Sequence, residues 1–221
     1  MSQKSPVSKS ELLDRAKSLS GLTLAELAKQ LNIDCPASSK DAKGWVGNIL
    51  ENILGATAST APEPDFVELG IELKSIPIGR NGKPKESTYV CVVQFSAEAL
   101  SSWDHSLVKK KLSHVLWIPY ETDPAIPFTA RHIGNPILWQ PDDTQIKKIK
   151  HDWQEFSDMI RVGRLHEITA EAGQYLQIRP KAAHSRMLTR NFNLTDQQTA
   201  TMPRGYYLRA GFTAQIIQSS I

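Results

Sequence analysis

Asp65 and the run Glu72-Leu73-Lys74 are the residues whose types and spacing offer chemistry. Two carboxylates brought to one sheet edge present hard oxygens to a divalent cation such as Mg²⁺, and the Leu73 carbonyl adds a third donor. Lys74, two residues beyond Glu72, projects from the same face of a strand. There an ammonium stabilises charge developing on a phosphorane or orients a water that the metal has made more acidic. This is the layout of a metal-dependent phosphodiesterase. A solvated Glu/Lys strand face has the same spelling, so the pattern alone leaves both readings open.

Competing chemistries lack their signatures. The chain has no phosphate-cradling glycine loop ending in Lys-Ser/Thr, no dinucleotide glycine triplet, no Gly-x-Ser-x-Gly elbow and no His-Glu-x-x-His. His105, His114, His132, His151, His166 and His184 show no ligand spacing and read as surface or capping residues. Cys35 and Cys91 make neither a disulfide framework nor, by themselves, a zinc site, which suits a reducing cytoplasm. The apolar runs at Val90–Val93 and Val115–Ile118 fall far short of the about 20 residues of a membrane span. Met1 to Ser10 is polar, with Lys4 and Lys9, so no export signal is expected.

With 221 residues, 40% hydrophobic and 22% charged, the composition excludes disorder and collagen. The net charge of +3 is too small to argue for a nucleic acid, but its distribution is uneven. Residues 1–110 hold 13 Lys/Arg against 13 Asp/Glu, whereas residues 161–221 hold eight against three. A basic C-terminal third suits a polyanion and suits a solvated face about equally.

The elements that must position these residues follow from periodicity. Ser8/Glu11 and Thr23/Glu26 are spaced as capping boxes ahead of two short helices. Trp45, Val46, Ile49, Leu50, Ile53 and Leu54 form the stripe of a third helix that Gly55 can end, with Glu51 turned off the stripe. Val67 to Ser75 alternates apolar and polar residues, which predicts a half-buried strand, and Thr88 to Phe95 predicts its hairpin partner. A third strand is expected at His114 to Pro119, a long amphipathic helix from Asp142 to about Ile160, strands at Tyr175 to Arg179 and Gly205 to Arg209, and a terminal helix at Thr213 to Gln218. The order indicates a mixed α/β (α+β) domain. We expect one domain over 1–221, with an N-terminal helical arm at about 8–60, a sheet plus C-terminal arm at about 61–221, and the polar stretches 32–43 and 55–64 as candidate hinges.

Five segments carry a further signal: Lys43-Gly-Trp-Val-Gly-Asn-Ile-Leu-Glu51, Pro64-Asp-Phe-Val-Glu-Leu-Gly-Ile-Glu-Leu-Lys-Ser-Ile-Pro77, Val115-Leu-Trp-Ile-Pro119, Tyr175-Leu-Gln-Ile-Arg-Pro-Lys-Ala182 and Pro203-Arg-Gly-Tyr-Tyr-Leu208. In this order they resemble the MutH family of DNA mismatch-repair endonucleases, from about residue 10 to 217. The resemblance implies a restriction-endonuclease-like fold with a mixed central sheet and two arms around a DNA cleft. It implies Mg²⁺-dependent nicking, 5′ to the G, of the unmethylated strand at hemimethylated GATC sites, with Mn²⁺ able to substitute. It also implies activation by MutL acting with MutS. On this chain the family's catalytic set falls on Asp65, Glu72 and Lys74, with Glu51 as an additional carboxylate and Lys111 near the scissile phosphate. The implied metal ligands are Asp65, Glu72, the Leu73 carbonyl and Glu51, and the implied DNA contacts are Lys43, Arg179, Pro180, Lys181 and Tyr207.

Departures from the family pattern include Ser113-His114 after Lys111-Leu112, where a basic pair is expected, and Tyr89 in place of phenylalanine. Two other readings stand beside the endonuclease: a DNA-binding or MutL-docking module that does not cut, and a restriction-type enzyme with another target. The intact Asp65, Glu72 and Lys74 favour cutting, because a binding module has no use for two carboxylates beside DNA phosphates. No coiled-coil stripe argues for more than a monomer.

Overall fold

A computed structural model describes residues 3–42, 44–58, 62–181, 189–192, 198–201 and 203–219, the segments 189–192 and 198–201 by their backbone. Lys43, His184 and Arg186 lie outside the described residues.

Three helices open the chain: α1 (Lys9–Ser18), α2 (Leu24–Gln30) and α3 (Trp45–Leu54). Thr23 and Glu26 form the full capping box of α2, each side chain holding the other's backbone N–H. Ser8 caps α1 by accepting from Glu11 N, but the Glu11 carboxylate reaches past Ser8 to Val7 N at 2.8 Å. The stripe of α3 is buried as its spacing requires, at Val46, Ile49, Leu50, Ile53 and Leu54. Gly55 ends this helix at φ 80°, and a Cβ there would lie 2.6 Å from the Lys4 carbonyl, so only glycine fits.

The segment expected as one strand over 67–75 departs from its alternating pattern. Val67–Leu69 is a 3₁₀ turn, Gly70 follows at φ 63°, and the strand β1 runs Glu72–Ile78. The chain folds back here because Phe66 and Ile71 exchange backbone hydrogen bonds at 2.9 and 3.3 Å. Phe66 and Ile71 are thereby buried while Val67 stays 40% exposed. The expected hairpin is also absent. β2 (Thr88–Val92) pairs antiparallel with a C-terminal strand, and β1 pairs parallel with β3 (Val115–Glu121). A parallel pair needs a long crossover, and here it contains β2, α4 (Ala97–Ser101) and α5 (Leu107–Leu112). The remaining elements are β4 (Ile137–Trp139), α6 (Asp143–Arg161), β5 (Leu176–Pro180), β6 (Thr189–Phe192), β7 (Gln198–Thr201), β8 (Arg204–Leu208) and α7 (Ala210–Gln218).

The elements group into two compact units. The first comprises Met1–Glu86, Ser113–Gln140 and Ala214–Ile221. Its sheet has the order β1-β3-β4, and one face packs Leu73, Leu116 and Ile118 against Leu27, Ile49, Leu50 and their neighbours from the helices. The second comprises Ser87–Leu112 and Pro141–Thr213, with the antiparallel sheet β2-β8-β5 and the separate ribbon β6-β7. This grouping differs from a boundary near residue 60: β1 and β3 go with the N-terminal helices because their shared face is covered by those helices. Of the stripe its spacing picks out, α6 buries Ile149, Trp153, Phe156 and Ile160, whereas Ile146 in the first turn stays 36% exposed. Among the described residues no helix is long and apolar enough to cross a membrane.

Candidate active site

β1 meets β3 along one edge only, and its other edge carries the acidic residues. The Glu72 N–H donates to the His114 carbonyl on the β3 side at 3.0 Å. Successive residues of a strand alternate in direction, so the Leu73 N–H points away from β3. Asp65 Oδ2 accepts it at 2.7 Å. A strand residue's carbonyl leaves on the same side as its N–H, which sets the Leu73 carbonyl and the Asp65 carboxylate along one edge. Asp65 is fixed from behind as well, its own carbonyl accepting from Thr57 N at 2.9 Å and Ala58 N at 3.3 Å, just after α3. The fold-back between Phe66 and Ile71 is what brings residue 65 against residue 73.

Glu72 and Lys74 point to one face, and Lys74 Nζ lies 2.5 Å from Glu72 Oε1. Glu72 is 3% exposed and Asp65 8%. A solvated Glu/Lys strand face, the bland alternative, is therefore excluded. Buried carboxylates are costly unless paired, hydrogen-bonded or joined to a cation. A carboxylate offers about four lone-pair sites, so a backbone N–H on one oxygen leaves Asp65 chemically able to bind a metal. Two carboxylates and a strand carbonyl form an all-oxygen donor set, which fits a hard divalent cation.

Glu51 sits on α3, half-buried and off the core stripe. A Cβ at Gly47 would stand at ordinary contact distance, 3.7 Å from Ser75 Oγ and 4.0 Å from Glu51 Oε1, which places Glu51 near Ser75 of β1. In the second unit, Lys111 lies half-buried in the last turn of α5.

Arg179, Lys181 and Tyr207 also come together in the second unit. Tyr207 pairs with Tyr89 across β8 and β2, and their rings meet edge to face at 5.4 Å. Arg179 lies over the Tyr207 ring at 6.0 Å and donates to Ser87 Oγ at 2.8 Å. Lys181 Nζ stands 4.7 Å over the Tyr89 ring. Pro180 pairs with Arg204 at the strand end, exposed like its two neighbours. A Cβ at Gly205 would lie 2.9 Å from the Tyr89 ring and 3.1 Å from that of Tyr207, so this glycine makes room for the aromatic pair. Tyr89 and Gly205 were not among the expected site residues. Their signal was the strand register, which the sequence does not print.

Two other groups have structural duties. His151, Asp152 and Glu155 place ligand atoms within 4.8 Å of one another on α6. The Asp152 carboxylate, however, accepts the N–H groups of Gln174, Tyr175 and Leu176 at 2.9, 2.6 and 2.8 Å, anchoring the start of β5. Arg209, part of the basic C-terminal third, donates to the carbonyls of Ala170, Ala172 and Gly173 at 2.7 to 2.9 Å. Its guanidinium clamps a loop, which removes it from the candidate phosphate contacts.

Residues 54–152, which span the acidic edge, match the family described as DNA mismatch repair enzyme MutH. The DNA mismatch repair protein MutH of Vibrio vulnificus (strain YJ016) is 47% identical over 215 residues, covering 97% of this chain and 95% of the relative. That of Histophilus somni (strain 2336) is 48% identical over 212 residues, covering 96% and 95%. That of Pectobacterium atrosepticum is 46% identical over 212 residues, covering 96% and 92%. Similarity of this extent, together with an intact acidic edge, places the chain in the MutH family of DNA mismatch-repair endonucleases.

Proposed function

We propose that this endonuclease nicks the unmethylated strand of hemimethylated GATC sites in double-stranded DNA, 5′ to the G, using Mg²⁺ with Mn²⁺ as a substitute. MutL, acting with MutS, activates it. A cytoplasmic monomer is the proposed form. The observation that carries the reading is the buried edge in which Asp65 is locked onto Leu73 N–H beside the Glu72–Lys74 pair.

A divalent metal goes with the family, and here Asp65, Glu72 and the Leu73 carbonyl would hold it, with Glu51 as an added carboxylate. The ion supplies Lewis-acid polarisation of the phosphate and a more acidic attacking water. Glu72 holds the Lys74 ammonium in place, so that one of its protons can be directed at a phosphoryl oxygen or at the water without reorganisation. Lys111 adds positive charge to the scissile phosphate. Lys43, one residue before Gly44 in the chain, serves as a DNA contact. In the second unit, Arg179 and Lys181 suit the O6 and N7 acceptors of guanine in the major groove, while Tyr207 packs against the adenine N6 amino group, where a methyl would collide.

The test is plasmid nicking on hemimethylated, unmethylated and fully methylated GATC substrates, with and without MutL. Mg²⁺-dependent cuts confined to unmethylated strands, and faster with MutL, are expected. Equal cutting of fully methylated plasmid, or cuts away from GATC, would overturn the reading.

A further inference from the structure

Ser87 directly precedes β2 and Arg179 lies near the end of β5, the two strands that flank β8. Arg179 pairs in register with Gly205 of β8, so its side chain must span two strand spacings, each about 4.8 Å, to reach the β2 side. It crosses over the Tyr207 ring, with Cζ 6.0 Å from the ring centroid, and Nη1 donates to Ser87 Oγ at 2.8 Å. Ser87 is half-buried whereas Arg179 is exposed, so the hydroxyl is the fixed end of this contact and the guanidinium the end that it holds.

A guanidinium has five N–H donors in one plane and no acceptor. The ring beneath it limits the tilt of that plane, and the hydroxyl at Nη1 limits its rotation. Because the hydroxyl is neutral, the contact orients the group without cancelling its charge. With Nη1 engaged, the Nε–Nη2 edge still carries two parallel N–H groups, the fork that matches the O6 and N7 acceptors of guanine. A long side chain without such anchors gives up its rotamer freedom on binding and can bend to suit a wrong base. A fork held beforehand presents one geometry and rejects what does not fit it.

We infer that Ser87 is a positioning residue for base recognition, its hydroxyl holding the Arg179 guanidinium on the Tyr207 ring so that the Nε–Nη2 edge is left for a guanine. The inference deepens the proposed reading of GATC by Arg179 and rests on it. Ser87 acts through Arg179 and has no part in the chemistry of the acidic edge.

The experiment removes one guanine acceptor at a time. Hemimethylated GATC duplexes carrying guanine or 7-deazaguanine, which lacks the N7 acceptor, in one strand or the other are nicked with Mg²⁺ by the parent, Ser87→Ala, Ser87→Thr, Arg179→Ala and the Ser87→Ala/Arg179→Ala double variant. In one of the two strands the parent should prefer guanine by about tenfold in kcat/KM, and Arg179→Ala should lose that preference. At the same strand Ser87→Ala should retain a preference of only about threefold, and Ser87→Thr, which keeps the hydroxyl, should regain the parent's value. In the Arg179→Ala background Ser87→Ala should change nothing further, as expected of a residue that acts only through Arg179. A parent-like preference in Ser87→Ala would overturn the inference, and so would failure of Ser87→Thr to restore it. An equal loss on both duplexes with a lowered melting temperature would also overturn it, making the contact mere packing. Arg179→Ala separates the two claims. If it keeps the parent's preference at both strands, guanine reading by Arg179 is wrong and the inference falls with it; if it loses the preference while Ser87→Ala keeps it, only the role of Ser87 fails.

Discussion

The acidic edge of the first unit and the aromatic face of the second solve opposite problems. At the edge the charges are buried and held before any substrate arrives: Asp65 by the backbone N–H groups of Leu73, Thr57 and Ala58, Glu72 and Lys74 by each other. On the face the cations are exposed and lean on rings, Arg179 over Tyr207 and Lys181 over Tyr89. Preorganised charge in a water-poor setting favours a reaction's transition state. Exposed long side chains on an aromatic platform favour adaptable contact with a polyanion and its base edges. Under the proposed function the acidic edge does the chemistry and the aromatic face the reading of bases, and each assignment can be broken separately.

The largest effects belong to the edge. Asp65→Asn, Glu72→Gln and Lys74→Ala should each lower nicking by about 10² or more, a typical cost of removing an electrostatic group from a reaction centre, with DNA binding retained. The amide variants are the cleaner choice, because an Asn oxygen at position 65 still accepts the Leu73 N–H. Asp65→Ala and Glu72→Ala should in addition lose about 3 kcal/mol of stability in denaturant melts, since each leaves a buried group without its partner.

Intermediate effects belong to the face. Lys181→Ala should relax the choice of base by about 1 to 3 kcal/mol, a fivefold to 150-fold change in the ratio of cutting at GATC and at single-mismatch sites. Tyr207→Ser should still bind DNA yet cut methylated and unmethylated strands at much more similar rates. An unchanged strand preference in that variant would make Tyr207 a packing residue. Gly205→Ala tests the platform without removing any side chain that could contact DNA. Its Cβ would press on both tyrosine rings at about 3 Å. Site discrimination should drop while nicking of GATC stays within about tenfold of the parent, an expected size for a shifted contact worth about 1 kcal/mol.

The smallest effect is expected of Arg209→Ala. Its guanidinium is occupied by three carbonyls, so the salt slope of DNA binding should not change, while melts should show a loss of about 1 to 3 kcal/mol. A slope lowered by about one would return Arg209 to the phosphate contacts.

The sequence made some of this legible and hid the rest for physical reasons. Helices announced themselves: the caps at Ser8 and Thr23 and the stripes of α3 and α6 depend on near neighbours in the chain. The Asp65, Glu72 and Lys74 spacing was readable, but its alternation suggested one strand. The reversal at Gly70 escaped because Val67, Leu69, Ile71 and Leu73 keep the period of two even where the backbone turns. Pairing was the least legible. Whether β1 joins β2 or β3 is decided by contacts more than 30 residues apart, and Tyr89 joined the reading face only through its register with Tyr207. The burial of Glu72 was likewise invisible, since a charged residue in an alternating strand reads as solvent-facing until its neighbours in space are known.

Single-turnover nicking of a hemimethylated GATC duplex by Asp65→Asn, with DNA affinity and melting temperature measured on the same preparation, tests the division of labour most directly. Affinity within about threefold of the parent, an unchanged melting temperature and a nicking rate lower by about 10² or more are expected of an edge that acts only on the reacting phosphate. Nicking at the parent rate would contradict it, and so would a rate loss matched by an equal loss of binding.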